Sequence, residues 1–184
     1  MTNRMAVFVA RHAGRERSAA VRFLSILFGL VLFFVLAPLA LGFVGHLVGT
    51  SLPVNLPRIL EIILAGLALA GGFFFLLWAI STFWRVGRGT PVPLASPLKL
   101  VTVGPFKYTR NPIKLGAFLV YFGLGVLWDG LMTGLVMAAI ALVLGTLYHK
   151  AVEEKELALR FGDEYARYRA RTSFLIPRPP KSGP

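Results

Sequence analysis

Long runs of apolar residues, separated by short polar segments, dominate the pattern of this chain. Residues 23–45 carry no formal charge, and residues 59–84 carry a single one, Glu61. Each run exceeds the ~20 apolar residues that cross a hydrocarbon core about 30 Å thick. Both runs are therefore predicted to be transmembrane helices.

Two further apolar segments, residues 113–128 and 131–148, are separated only by Asp129 and Gly130. This spacing predicts a helical hairpin with a tight turn. The first of the two rises roughly 24 Å, which is marginal for a span, so it either lies partly among the headgroups or faces protein. The predicted fold class is an all-α integral membrane protein with about four transmembrane helices.

The twenty Lys and Arg residues alternate in density from one segment to the next. Five precede the first span, one follows it, six lie between the second and third, none lies in the hairpin turn and eight follow the fourth. Because Lys and Arg are retained in cytoplasmic segments, both termini and residues 85–112 are predicted to be cytosolic. The protein is therefore predicted to be multi-pass, with its most varied segments on one face.

Composition agrees with a membrane protein: 56% of the 184 residues are hydrophobic, 15% are charged, and the mean hydropathy is +0.70. The chain has no cysteine, which excludes disulfides and thiolate metal sites. The net charge of +12 flanks the apolar runs rather than forming an aromatic and basic face, so no nucleic-acid partner is predicted. Anionic lipids at the cytosolic face are the predicted partners of the basic tail, which has the composition of an amphipathic helix. Oligomeric state is left open.

Residues 85–112 are rich in proline and glycine, and their prolines exclude a continuous helix. The segment is predicted to be a compact loop. A loop that only sets topology would explain its Arg and Lys residues but not its glycines and prolines. Asn111 and Pro112 favour a helix that begins at Pro112, which by themselves indicates an ordinary capped membrane helix. The free N–H groups of that helix, with Arg110 and Lys114, also suit an anion.

Past residue 148 the sequence keeps a helical composition as far as Gly162, which is predicted to end the helix. The i, i+4 spacing places His149 beside Glu153 and pairs Glu156 with Arg160. The acidic run at 153–156 is by itself typical of a solvated helix. His149 has no second His or Cys nearby in sequence, so no metal site is predicted.

The stretch "GRGTPVPLASPLKLVTVGPFKYTRNPIKLG", followed after the hairpin by "HKAVEEKELALRFGDEYARYR", resembles the isoprenylcysteine carboxyl methyltransferase family and its phospholipid N-methyltransferase relatives. The resemblance covers about residues 85–178. It implies a membrane enzyme that binds S-adenosylmethionine at the cytosolic ends of its C-terminal helices. It also implies a lipophilic acceptor, such as an isoprenylcysteine carboxylate or a phospholipid, that enters from the bilayer.

The whole chain, residues 1–184, is predicted to form one membrane domain. Within it lie a basic N-terminus (1–22), a two-helix part (23–84), a cofactor-binding part (85–178) and a tail (179–184). The implied cofactor-binding residues are Gly87, Gly89, Tyr108, Arg110, Asn111, Pro112, Gly116, His149, Glu153 and Glu154. Of these, Arg110, His149 and Glu153 are the candidate catalytic residues. The chain departs from its relatives at Lys114 and Phe106, where they commonly have Tyr, which bears on the substrate class.

Two other functions are compatible with this sequence. One is an NADPH-dependent membrane reductase of the sterol-reductase type, for which the chain is short. The other is a non-catalytic membrane accessory protein. For a methyltransferase, the acceptor is left open among a prenylated terminus, a phospholipid amine and a small thiol. The sequence shows no dedicated base, which favours an anionic acceptor such as a carboxylate or thiolate.

Overall fold

The structure is a computed structural model, and it describes residues 7, 19–52, 54, 56–87 and 99–180. Its α-helices are α1 (Ala19–Val31), α2 (Ala37–Ser51), α3 (Arg58–Thr82), α4 (Pro112–Asp129), α5 (Leu131–Tyr148) and α6 (Glu154–Arg171). Three short π-helical turns, Leu32–Leu36, Phe83–Gly87 and His149–Glu153, continue or join them. The described residues contain no strand, and the predicted all-α fold class is confirmed.

Four helical stretches are long and apolar enough to cross a membrane: Leu27–Ser51, Arg58–Gly87, Pro112–Asp129 and Leu131–Arg171. The four predicted spans are confirmed, although the first helix continues six residues beyond the predicted end at residue 45. The short third span is the most buried of the four, as expected for a helix that faces protein. The predicted turn between the last two is present, with Gly130 at a φ of 98° that favours glycine.

The chain forms two compact units, and each draws on distant parts of the sequence. The apolar unit consists of Gly29–Leu76 and Ile113–Gly145. The terminal unit consists of the described residues within Met1–Phe28, Leu77–Pro112 and Thr146–Pro184. Residues 85–178, which the resemblance assigns to cofactor binding, therefore contribute to both units.

Small residues let helices approach closely inside the apolar unit. A Cβ atom on Gly116 would lie 2.8 Å from the carbonyl oxygen of Gly72 and equally close to the Leu76 side chain. Gly125 and Gly134 make a similar approach across the hairpin. Such contacts are typical of membrane helices, which gain stability from close packing because lipid offers no hydrophobic driving force between them.

The charged side chains of Arg58 and Glu61 in the apolar unit bind the backbone around the hairpin turn. The Glu61 carboxylate accepts a hydrogen bond of 3.0 Å from the Leu131 N–H at the start of α5. The Arg58 guanidinium donates to the carbonyls of Val126 and Leu127 at the end of α4, and it pairs with Glu61 at 3.0 Å. One ion pair thus caps the end of α4 and the start of α5, where backbone groups have no partner within their own helix.

The π turn at Leu32–Leu36 precedes Pro38, which has no N–H to offer the preceding turn. The Tyr121 hydroxyl donates a hydrogen bond of 2.7 Å to the Phe33 carbonyl in this turn. A backbone carbonyl without a partner in hydrocarbon would cost several kcal/mol. The contact therefore lets the first span contain an irregular turn.

In the terminal unit, the described part of the loop forms a 3₁₀ turn at Gly104–Lys107. Gly104 has a φ of 62°, and a Cβ there would lie 2.7 Å from the Thr82 hydroxyl. Phe106 is buried against the Phe83 ring, with centroids 4.6 Å apart, and its carbonyl accepts a 2.8 Å hydrogen bond from the Tyr168 hydroxyl. The loop is therefore anchored to α6 by backbone as well as by side chains.

The predicted helix end at Gly162 is confirmed, because Gly162 leaves the helical conformation with φ 48° and ψ −123°. A second helical stretch follows it and ends at Arg171, as the amphipathic composition of the tail predicts. A single glycine interrupts the helix because it tolerates positive φ, and the residues after it still favour a helix. The predicted amphipathic tail is thus helical only to Arg171.

Replacing Gly116 with alanine tests whether this glycine is required by packing. Because the added Cβ meets the fixed backbone of Gly72, we expect Gly116→Ala to lower the free energy of unfolding by about 1–3 kcal/mol. The matched control is Gly66→Ala on α3, where a Cβ meets nothing within 4 Å. Unfolding of detergent-solubilised protein, followed by circular dichroism, measures both. Equal stability of the two variants would contradict the packing role.

Candidate functional site

Three segments of the terminal unit meet around the Arg110–Asn111 pair. They are loop residues 108–111, the π turn His149–Glu153 with the start of α6, and residues 172–178, here named the C-terminal strap. The Arg110 N–H donates to the Ser173 carbonyl at 2.9 Å, and the Arg178 N–H donates to the Tyr108 carbonyl at 3.0 Å. The strap is therefore fixed to the loop as a short parallel bridge.

Thr109 and Asn111 tie the loop to the Phe174 carbonyl in the strap. The Thr109 side chain is fully buried, and its hydroxyl donates to Phe174 O at 3.2 Å and accepts from the Asn111 N–H at 3.2 Å. The Asn111 side-chain amide donates to the same carbonyl at 2.8 Å. This one carbonyl thus holds the side chains of both Thr109 and Asn111.

His149 is 3% exposed, and both of its ring nitrogens lie near polar side chains. Its Nδ1 is 2.6 Å from a Glu153 carboxylate oxygen, which confirms the predicted contact between the two side chains. Its Nε2 lies 3.4 Å from the Asn111 amide nitrogen and 3.8 Å from a Glu154 oxygen. His149 therefore connects the loop to both members of the acidic pair.

Arg110 and Glu154 form a nearly buried ion pair. Their atoms Nη1 and Oε1 are 2.8 Å apart, and each side chain is 10% exposed. The Arg169 guanidinium lies 3.7 Å from the other Glu154 oxygen, and the Tyr165 hydroxyl lies 3.4 Å from Arg110 Nη1. The Nε atom of Arg110 is buried and has no hydrogen-bond partner among the described residues.

The two glutamates that the sequence predicts as one functional pair have different surroundings. Glu154 is nearly buried and is bound by Arg110, whereas the Glu153 side chain is 34% exposed and is bound by His149. The π turn that ends at Glu153 contributes to this separation, because it adds a residue to one helical turn. The predicted pair of Glu156 and Arg160 is confirmed at 2.5 Å.

The other predicted residues lie at several places. Tyr108 is 37% exposed, and its ring is 6.2 Å from that of Trp78. Pro112 is buried and begins α4 as predicted, and Gly87 is buried in the π turn Phe83–Gly87.

Gly89 lies outside the described residues. Gly116 and Lys114 belong to the apolar unit. The contacts of Gly116 with Gly72 and Leu76 are those of a packing glycine.

Phe174 is a central residue that the sequence did not identify. Its ring is 5.2 Å from the His149 ring, and both the Arg110 guanidinium carbon and the Lys150 ammonium lie 5.6 Å from its centroid. In the sequence, Phe174 belongs to an apolar tail segment that suggests only contact with a membrane surface. No spacing rule in the sequence links Phe174 to these distant residues, so the sequence could not identify it.

Comparison with known proteins identifies the same region. The sequence profile of the phospholipid methyltransferase family matches residues 60–164, which is more than half of the chain. The chain is also 34% identical over 83 residues to methanethiol S-methyltransferase 1 of Bradyrhizobium diazoefficiens. It is 32% identical over 82 residues to the methanethiol S-methyltransferase of Crocosphaera subtropica. No solved structure matches.

Each of the two alignments with these relatives covers 45% of this chain, but only 28% and 31% of the respective relative. The family match is broader and includes α3, the loop, the hairpin and the His149–Glu154 turn. It confirms the family resemblance that is based on the loop and the acidic pair. It also confirms that the chain is of the membrane methyltransferase class. This chain belongs to the phospholipid methyltransferase family.

Proposed function

We propose that this protein transfers a methyl group from S-adenosylmethionine to a nucleophile on a thiol or lipophilic acceptor at the cytosolic membrane face. The family assignment supports the reaction class. The arrangement of Arg110, His149 and Glu153 in the terminal unit supports this unit as the location of the site. The reductase and accessory alternatives have no comparable support, since the family match covers the residues on which they would depend.

The observation that carries the proposal is the unpartnered Nε of Arg110. A buried N–H without an acceptor costs about 1–3 kcal/mol, so natural proteins seldom retain one without a reason. A carboxylate satisfies a guanidinium well, and S-adenosylmethionine carries one on its methionine part. The residues present therefore fit this cofactor, with Arg110 as the group that would hold its carboxylate.

When bound, the cofactor supplies a methyl group on a positively charged sulfur. The chain itself then has to align two reactants and exclude water, which are the main sources of rate for such a transfer. Glu154 holds the Arg110 guanidinium in position, and the Phe174 ring covers its face. The C-terminal strap fixes Asn111 and Thr109, so the loop cannot drift from this arrangement without losing several hydrogen bonds.

A thiol is the acceptor class that we favour. Both relatives reported above are named for methyl transfer to methanethiol, and their alignments support the extension to this chain. A thiolate is also a strong nucleophile that carries the charge a positive donor attracts. A phospholipid amine or a prenylated carboxylate is the second candidate, supported by the family description and by the four helical stretches that are long and apolar enough to cross a membrane.

We also propose the cytosolic orientation and a contact of the basic α6 with anionic lipids. The exposed arginines Arg167, Arg169 and Arg171 lie in the last two turns of α6, after its exposed acidic residues Asp163 and Glu164. A surface of this kind attracts anionic headgroups by about 1 kcal/mol for each basic residue near the membrane.

Removing the Nε donor of Arg110 should weaken cofactor binding. We expect Arg110→Lys, which keeps the charge, to raise the Kd for S-adenosylmethionine at least ~10-fold, because a hydrogen bond to a charged group contributes about 1.5–3 kcal/mol. Isothermal titration calorimetry on detergent-solubilised protein measures the Kd, with Arg167→Lys as the exposed control. An unchanged Kd in Arg110→Lys would contradict the assignment. Binding of NADPH in place of the cofactor would favour the reductase.

Glu154 should contribute to stability more than its exposed neighbours do. Glu154→Gln leaves the buried Arg110 without its counter-charge, so we expect a loss of ~3 kcal/mol in the free energy of unfolding. Glu164→Gln, an exposed carboxylate on the same helix, should change stability by less than about 0.5 kcal/mol. Chemical unfolding followed by circular dichroism compares the two, and similar values would show that the pair is not structural.

The absence of cysteine makes orientation directly testable. We expect Lys155→Cys to be protected from a membrane-impermeant maleimide in intact cells and labelled in inverted membrane vesicles. Ser51→Cys, at the end of the first span, should show the opposite pattern. Labelling of both positions from the same side would refute the predicted topology.

A further inference from the structure

We propose that Glu153 accepts the proton of the acceptor, and that Asn111 and His149 act as positioning residues that orient its carboxylate. The inference rests on the proposed function and deepens it: the acceptor is a protic nucleophile, a thiol, rather than one that arrives already ionised. The family resemblance marks Glu153 as a cofactor-binding and candidate catalytic residue, but it assigns Glu153 no step in the reaction. The three side chains form a continuous chain of contacts in the terminal unit.

The first contact fixes the orientation of the Asn111 side chain. The Phe174 carbonyl can only accept a hydrogen bond, so the group 2.8 Å from it must be the amide nitrogen of Asn111. That nitrogen carries a second hydrogen, and His149 Nε2 lies 3.4 Å away. In the neutral imidazole, Nε2 therefore acts as the acceptor.

The second contact follows from the first. A neutral imidazole carries its hydrogen on one nitrogen, so acceptance at Nε2 assigns the hydrogen to Nδ1. Nδ1 then donates to the Glu153 carboxylate at 2.6 Å. The ring is held by burial and by its edge contact with Phe174, so the carboxylate is held as well. A hydrogen bond of this kind is the usual means of orienting a general base.

Burial distinguishes Glu153 from Glu154. Glu154 lies 2.8 Å from Arg110, 3.7 Å from Arg169 and 3.8 Å from His149, and its side chain is 10% exposed. The Glu153 side chain is 34% exposed and lies 2.6 Å from His149. Of the two carboxylates, Glu153 is the one that a substrate can approach from solvent.

The chemical step balances with Glu153 as the proton acceptor. The S–H bond of the thiol breaks, its proton moves to the Glu153 carboxylate, and its electron pair stays on the sulfur. That sulfur forms a bond to the methyl carbon. At the same time the bond from this carbon to the donor's sulfonium breaks, and the electron pair of the broken bond stays on the donor's sulfur, which becomes a neutral thioether. Glu153 later returns the proton to water. Removal of the proton matters because the thiolate, not the thiol, is the nucleophile.

A series of thiols with graded acidity tests this role. Acidic aromatic thiols are ionised at the assay pH and need no base, whereas alkane thiols do need one. We expect Glu153→Gln to lower kcat about 100-fold or more with alkane thiols and less than about 5-fold with acidic thiols. The control, Glu164→Gln, should resemble the wild type with every thiol. The Kd of Glu153→Gln for S-adenosylmethionine should stay within about 2-fold of wild type.

The possible outcomes separate this inference from the proposed function. If wild-type protein methylates thiols but Glu153→Gln loses the same factor with every thiol, or binds the cofactor at least 10-fold more weakly, Glu153 is a cofactor ligand and the inference is overturned. If wild-type protein methylates lipid amines or carboxylates and no thiol, the proposed acceptor fails and the inference fails with it. A loss that grows with thiol pKa supports both.

A second measurement tests the positioning residues without cofactor or turnover. Nitrogen NMR of protein labelled at its three histidines reports which ring nitrogen carries hydrogen, and His149→Gln identifies the signal of His149. We expect hydrogen on Nδ1 in the wild type. In Asn111→Asp the new carboxylate cannot donate to Nε2, so hydrogen should appear there. Hydrogen on Nε2 alone in the wild type, or no change in Asn111→Asp, would overturn the proposed chain.

Discussion

The buried ion pair between Arg110 and Glu154 is the contact on which the rest of the site depends. Two charges with side chains 10% exposed are stable only if each is matched, so the loop and the start of α6 must meet at a defined distance. Once they do, Asn111 reaches His149 and the strap can pair with the loop. The need to match two buried charges thus fixes the positions of the loop and of the start of α6 relative to each other.

In the apolar unit, another ion pair stabilises the ends of two helices. Arg58 and Glu61 pair with each other and also bind the backbone at the ends of α4 and α5. In lipid, backbone groups without partners are costly, and so are charges without counter-charges. The ion pair of Arg58 and Glu61 therefore satisfies both requirements at once, which allows a largely apolar chain to contain charged residues at defined places.

Much of the fold could be predicted from the sequence, because apolar length and charge asymmetry act locally. Four spans, the turn at Gly130 and the helix start at Pro112 follow from such rules. Contacts at i, i+4, such as His149 with Glu153, were also predictable. The different surroundings of Glu153 and Glu154 were not, since those of Glu154 depend on Arg110, which is 44 residues away in sequence. Phe174 was missed for the same reason.

The order of synthesis gives the C-terminal strap a further significance. Thr109 and its partner in the strap are 65 residues apart, and the hairpin lies between them. During translation the loop is made well before the segment that satisfies its buried hydroxyl and amide. Non-local pairing of this kind slows folding and leaves intermediates exposed. Completion of these hydrogen bonds is thus coupled to synthesis of the last two spans, so a nascent chain interrupted before residue 172 lacks the partner that fixes Thr109 and Asn111.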